Sequence, residues 1–224
     1  MKGFFLCLLI QVFFSSPEPV SQNHGKGYID VAQADTSLGV LILVNKNHKL
    51  AEAYRPHDLI PIDNKYNRGV MNLLRKQAAA AFEEMCRSAA ADNIILWNRS
   101  AYRSDTVQVE LFENAVMRRG LKDAEQFSAR PGHSEHQTGL AVDINSVHQS
   151  FGNSEEAAWL RKHAHLFGFI KRYPKTKEKI TGYHYEPWHY RYVGVSAAKY
   201  IHKNQITLEE YHEIIGKQTS IPSR

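Results

Sequence analysis

Cysteine is nearly missing from this 224-residue chain, which holds only Cys7 and Cys86. Cys7 lies in an N-terminal apolar run, so removal of that run would leave Cys86 alone. A lone thiol forms no internal disulfide, and a zinc site built from four cysteines is excluded. Any metal here must be held mainly by histidine and carboxylate. Long hydrophobic stretches are scarce too. The run from Phe4 to Phe14, broken only by Gln11, falls short of the roughly twenty residues that a membrane span requires. Lys2 precedes it and Ser15, Ser16 and Pro17 follow, so residues 1–18 read as a secretory signal peptide. An exported protein is expected, in the cell envelope or outside the cell, with no stable membrane span after processing. No dense Lys/Arg block with interleaved aromatics occurs, which argues against nucleic acid as a partner. No internal repeat or repeated wall-binding module is visible, and the helical metalloprotease motif His-Glu-x-x-His is absent.

Hydrophobic residues make up 43% and charged residues 23% of the chain, a globular composition of a size suited to one domain. The net charge of +5 favours anionic surroundings, such as an anionic cell wall. Residues 19–37 are polar and aperiodic and read as a linker or N-terminal extension; the domain proper is expected over residues 38–218. Gly39 to Val44 and Ile94 to Leu96 read as buried strands. Val70 to Ala91 carries the longest helical pattern, and Asp105 to Arg119 a second that stops before Gly120. Leu140 to Asn145 alternates, with Leu140, Val142 and Ile144 on one face and Asp143 on the other. Ser154 starts a helix that Gly168 can close. Phe169 to Tyr173 and Tyr183 to Val193 read as extended, and a capping box at Thr207 and Glu210 opens a last helix that stops at Gly216. The class is α+β, and a monomer is expected.

Twelve histidines are present, and most sit in polar or helical surface contexts. His163 and His165, two apart in a helix, face different ways and cannot share a metal. Two segments differ. In Ser134-Glu-His136-Gln-Thr-Gly139-Leu-Ala-Val-Asp143, the aspartate projects away from the apolar strand face, where a buried carboxylate needs a cation or metal beside it. Gly139 permits a turn that returns His136 to Asp143. The pair could ligate a metal or form a structural His–Asp hydrogen bond. In Glu186-Pro187-Trp188-His189, Pro187 pushes Glu186 toward extended backbone, so this Glu-x-x-His is not helical. It could be a ligand beside a base, or an aromatic core strand with a satisfied histidine. Together the segments supply two histidines, an aspartate and a spare glutamate, enough for a three-ligand catalytic zinc with a base.

The two motifs in order, Ser134-x-His136-x-x-Gly139-x-Ala141-x-Asp143 and then Glu186-Pro187-Trp188-His189, resemble the VanY-type zinc D-alanyl-D-alanine carboxypeptidases. That family is related to D-Ala-D-Ala dipeptidases, murein endopeptidases and the hedgehog signalling domain. The likeness runs from about Val40 to Val193 and includes Leu43 to Lys46. It implies a small, mainly antiparallel sheet packed with helices, and a Zn2+ ion held by His136, Asp143 and His189. Glu186 would be general base and then proton donor. Arg103, in Ala101-Tyr-Arg-Ser104, would contact substrate and stabilise the oxyanion, with Gln108 and Ser134 as further substrate contacts. The implied reaction removes the C-terminal D-alanine from peptidoglycan stem pentapeptides. Alternatives are an L,D-carboxypeptidase acting on tetrapeptides, a murein endopeptidase and a non-hydrolytic zinc module. Glu186 speaks against the last, since a purely structural zinc has no use for a spare base.

Overall fold

The computed structural model of the chain describes residues 28–219, so the signal peptide expected over residues 1–18 lies outside the described residues. Two short ribbons come first. Strand β1 (Ala32–Gln33) pairs in parallel with β2 (His48–Lys49), and β3 (Leu59–Pro61) pairs antiparallel with β4 (Leu73–Arg75). Helix α1 (Lys76–Ala91), strand β5 (Asn98–Ser100), helices α2 (Asp105–Arg119) and α3 (Leu121–Phe127) and strand β6 (Ala141–Ile144) follow. The remainder comprises α4 (Glu155–His163), β7 (Phe169–Lys171), the single turn α5 (Glu178–Thr181), β8 (His189–Tyr192), α6 (Val195–Asn204) and α7 (Leu208–Thr219). Strands β5, β6, β8 and β7 form, in that order, one antiparallel sheet. The α+β class with a small antiparallel sheet is therefore as expected.

The core forms between that sheet and α1. Ala78, Ala79, Phe82, Met85, Cys86 and Ala89 recur at three- and four-residue steps and are buried along one helix face. They meet Leu140, Val142 and Ile144 of the β6 segment, and Phe82 meets Phe169 edge-on at 6.4 Å. Burial pushes the Cys86 thiol well up, so this free cysteine is an inert core residue. The other face of the sheet is left for polar chemistry, with α2 and α3 as its outer wall.

Several boundaries differ from the sequence reading, each for a local reason. The expected helix start at Val70 fails: Val70 is 92% exposed and the helix begins at Lys76. The carbonyls of Met71 and Leu73 accept from Ala101 and Tyr102, which holds this stretch extended beside the chain leaving β5. The expected strand from Gly39 to Val44 is a 3-10 helix over Thr36–Leu41, capped by Asp35, followed by buried, unladdered residues. There the carbonyls of Val40 and Ile42 accept from the Arg191 guanidinium instead of from a strand. The strand expected at Ile94 to Leu96 starts later, at Asn98, because the Asn145 side chain takes the Trp97 N–H and the Ile95 carbonyl. The strand from Phe169 ends at Lys171 rather than Tyr173, and Gly216 does not stop α7 because it never adopts a positive φ. Ser154 does cap α4 by accepting from Ala157, and Gly168 closes the following turn at φ 82°. Residues 28–37, within the stretch expected to be a linker or N-terminal extension, lie against the body: the Tyr28 ring meets His133 edge-on at 4.8 Å and Ala34 is buried.

Candidate active site

The site follows from strand register. Strands β6 and β8 pair with Asp143 opposite His189, so both side chains leave the same face of the sheet. Asp143 alternates with Val142 and Ile144, which pack into the core, so it must point the other way. A 3-10 turn over Glu135–Thr138 precedes β6 and ends at Gly139, with φ 67°. At φ 67° a side chain is strained, and one at Gly139 would also crowd the Leu59 methyl at 2.7 Å and Arg75 Cγ at 3.1 Å, so glycine suits this turn, which sets His136 beside Asp143. Ser100 pairs with Asp143 at the β5 edge, which brings the departing chain, and with it Arg103, to the same place. The residues before β8 form a non-helical turn, in which the His189 N–H meets the Glu186 carbonyl.

His136, Asp143 and His189 each offer one ligand atom, and these atoms lie within 4.8 Å of one another. The His136 Nδ1–H donates to the Ala101 carbonyl at 2.7 Å, which leaves a bare Nε2 facing the cluster, 3.4 Å from Asp143 Oδ2. That buried Nε2 has no hydrogen-bond partner. An orphaned, inward-facing lone pair fits a metal ion, as does the two-nitrogen, one-oxygen donor set for zinc. Burial, with Arg103 nearby, lowers the His136 pKa to about 4, so the ring is neutral and able to ligate at pH 7. His189 Nδ1 sits 3.0 Å from Asp143 Oδ1, and its Nε2 faces Glu135 Oε2 at 3.4 Å. Burial opposes the cationic form of His189, but the Asp143, Glu135 and Glu186 carboxylates outweigh it and raise the pKa to about 9. A cation at the cluster would take the place of that proton on Nδ1. Asp143 is held well below the usual carboxylate range, because both histidines override the cost of its burial.

Glu186 Oε2 stands 3.8 Å from His189 Nδ1. Burial lifts its carboxyl to about 7, with Asp143 adding to the effect and His189 and Arg103 opposing it. A carboxylate poised near neutrality is suited to accept and return a proton. Arg103 reaches in from the other side, with NH2 3.7 Å from Asp143 Oδ2 and NH1 donating to Gln108 Oε1 at 3.1 Å. Gln108 Nε2 donates in turn to the Ala129 carbonyl at 2.7 Å. Both ends of the Gln108 amide thus serve to aim Arg103. Arg103, Gln108, Ser134, His136, Asp143, Glu186 and His189 all line one cavity of about 560 Å³. Every site residue read from the sequence is therefore brought together.

A supporting group went unread. Glu135, fully buried, accepts at Oε1 from Arg172 Nε (2.8 Å) and Arg191 NH1 (2.7 Å). Its remaining oxygen is thereby directed at His189 Nε2. Burial alone would raise the Glu135 pKa, but the two guanidinium groups hold it well below the ordinary range. A carboxylate behind a ligating imidazole fixes its tautomer and strengthens it as a donor. Arg172 also pairs with Glu209 of α7 at 2.6 and 2.9 Å. Two signals were available: Glu135 adjoins His136, and Arg191 stands two residues from His189, on the same strand face.

Three candidate ligands around an open cavity, a carboxyl poised to move a proton and an aimed arginine define a metallopeptidase-type hydrolase centre. Residues 71–195 match the family VanY, D-alanyl-D-alanine carboxypeptidase. Bacillus subtilis (strain 168) YodJ is 43% identical over 187 residues, which is 80% of this chain and 68% of that protein. The LdcB LD-carboxypeptidase structure superposes with a TM-score of 0.77 at 41% identity, covering 82% of this chain and 90% of that one. A mutant of the vancomycin resistance D,D-pentapeptidase VanY, in complex with Zn(II), gives 0.66 at 36% identity over 77% of this chain and 98% of that one. The chain belongs to the VanY family of D-alanyl-D-alanine carboxypeptidases.

Proposed function

We propose that this chain is a zinc-dependent D,D-carboxypeptidase that removes the C-terminal D-alanine from peptidoglycan stem pentapeptides. The observation that carries the reading is Glu186, a buried carboxyl lifted to about 7 and set 3.8 Å from a ligand nitrogen of the His136–Asp143–His189 cluster. Zinc, when bound, supplies Lewis acidity and lowers the pKa of water at its open position. His136, Asp143 and His189 hold the ion, and Glu135 fixes the ring of His189. Glu186 takes the proton from the attacking water and returns it to the leaving D-alanine amine. Arg103 meets the negative charge that develops on the scissile carbonyl, or the terminal carboxylate, and Gln108 keeps it aimed. Ser134, at the cavity wall, contacts the bound peptide.

The N-terminal leader pattern and the net charge of +5 support a place outside the cytoplasmic membrane, against an anionic wall. Among the described residues, no helix is long and apolar enough to cross a membrane. The likeness to the LdcB LD-carboxypeptidase favours a second reading, in which the substrate is the tetrapeptide. Defined pentapeptide and tetrapeptide stems, assayed side by side for released D-alanine, separate the two. Release from the pentapeptide is expected. Release from the tetrapeptide alone would transfer the assignment to L,D-cleavage.

A further inference from the structure

A second cavity, of about 410 Å³, opens at the β7 edge, on the face of the sheet turned away from the catalytic cluster. Strand alternation explains its separateness. Tyr190 lies between His189 and Arg191 on β8, so its side chain leaves the opposite face, and Lys171 of β7 pairs with it in register. The walls are α4 and the turn after it, the loop from Pro174 to Lys177, and the end of α6.

The charge of this cavity is one-sided. Arg161, Lys171, Lys175 and Lys177 line it, and no carboxylate does. Lys177 is already held by Glu210, at 2.8 and 3.0 Å. The other three line the cavity on the side of Tyr185, a residue beside the cavity and not in its lining. Lys171 Nζ lies 5.6 Å and Lys175 Nζ 5.0 Å from its ring centre. Arg161 donates to the carbonyl of Gly152 at 2.9 Å, and a side chain at Gly152 would meet the Tyr185 hydroxyl at 2.8 Å. Lys171 is the more costly of the lysines: burial, then Arg161 and Lys175, lowers its pKa to about 8. Inside the cavity wall, the hydroxyl of Tyr190 is enclosed and has no hydrogen-bond partner, although the residue is only 1% exposed. At its rim the His165 and His202 rings stack at 3.7 Å, and His165 Nδ1 is likewise without a partner.

The geometry points to a second binding site in this cavity that takes a phosphate group, held by Arg161, Lys171 and Lys175 with the Tyr190 hydroxyl as neutral donor. Converging cations without a counter-charge are stabilised by a multiply charged oxyanion, and a phosphate offers enough oxygens to meet three of them. The charge can come from free phosphate or from successive singly charged phosphodiesters of a phosphodiester-linked polyol, of the kind that makes a wall anionic. The site stands independently of the reaction at the zinc cluster, since none of its four binding groups lines the catalytic cavity.

The test uses full-length, zinc-loaded protein titrated calorimetrically with inorganic phosphate and, separately, with a short glycerol-phosphate oligomer. Saturable one-site binding of either is expected; tighter binding of the oligomer assigns the site to a polymer, and equal or tighter binding of phosphate assigns it to the free anion. Losing two charge-assisted contacts in the double variant Arg161→Gln, Lys171→Gln is expected to weaken binding about tenfold or more. Tyr190→Phe, which keeps the ring, should weaken it several-fold, and D-alanine release from stem peptides should be unchanged in both. Amide shifts in the unaltered protein on adding phosphate, at Lys171 and Tyr190 and not at His136, guard against a misfolded variant. No saturable binding of either probe, or unweakened binding in the double variant, overturns the proposal.

Discussion

Glu186 holds its unusual proton affinity because the fold takes it out of water beside Asp143, while His189 and Arg103 restrain the rise. In the proposed mechanism it supplies a proton route, and it is not one of the three residues whose ligand atoms cluster, so the two roles can be pulled apart by substitution. Glu186→Ala should retain stoichiometric zinc while turnover falls about a thousandfold, within the range of general-base losses; metal content alongside kcat checks this, and full activity would sink the assignment. Glu135 presents the opposite case, facing the proposed ligand His189 from behind at 3.4 Å. Glu135→Ala leaves Arg172 and Arg191 buried without their shared carboxylate. It should destabilise the fold by about 3–5 kcal/mol and weaken zinc roughly ten- to a hundredfold. Denaturant unfolding and competitive metal titration measure the two effects separately.

Helix α7 is tied to the site through one chain of polar contacts: Glu209 to Arg172, Arg172 to Glu135, Glu135 to His189. Its start is a reciprocal capping box, in which the Thr207 N–H donates to Glu210 and the Glu210 N–H donates to the Thr207 hydroxyl. Thr207→Ala should cost about 1 kcal/mol of stability and leave turnover in place, as thermal melts and a peptide assay would show. Burial of Glu209 raises its pKa, but Arg172 more than offsets this and holds it below its ordinary value of 4.5. The stability it contributes is therefore complete above that value and lost as pH falls through the lowered one. Glu209→Gln should flatten the acid limb of the melting-temperature profile; an unchanged limb would mean that the pair does not set it. The box itself was legible in the sequence, as were the alternation of β6, the Ser154 cap and the turn at Gly139, because each is local chemistry. What escaped was decided by distant partners. Val70 reads as helical until the chain from Ala101 pairs with Met71, and Gly39 to Val44 reads as a strand until Arg191 claims its carbonyls. At the site, residues facing the cavity were readable from motif spacing. Glu135, Arg172 and Arg191 were not, since charged residues in turns and short strands usually face water, and only the assembled sheet buries them.

The whole molecule has two faces on one small sheet: an apolar face against α1 and a polar face on which three ligands converge without a bonded partner for His136 Nε2. Such a face is incomplete as a protein structure. Asp143 is buried between two imidazoles with Arg103 3.7 Å away, and without metal its nearest positive charge is a proton on His189 Nδ1, the nitrogen that a metal would take. Metal binding is therefore coupled to the stability of the entire domain. An ion at a hundred times its dissociation constant adds about 2.7 kcal/mol, and in a domain of this size about 1 kcal/mol moves the melting temperature by roughly 2–4 °C. Chelation should then lower the midpoint by about 5–10 °C and abolish D-alanine release, with zinc restoring both. The Glu186→Ala protein should show the same thermal shift without activity, whereas Asp143→Ala should show neither. A melting temperature and an activity that both ignore the chelator would mean that the cluster holds no metal, whatever its geometry allows.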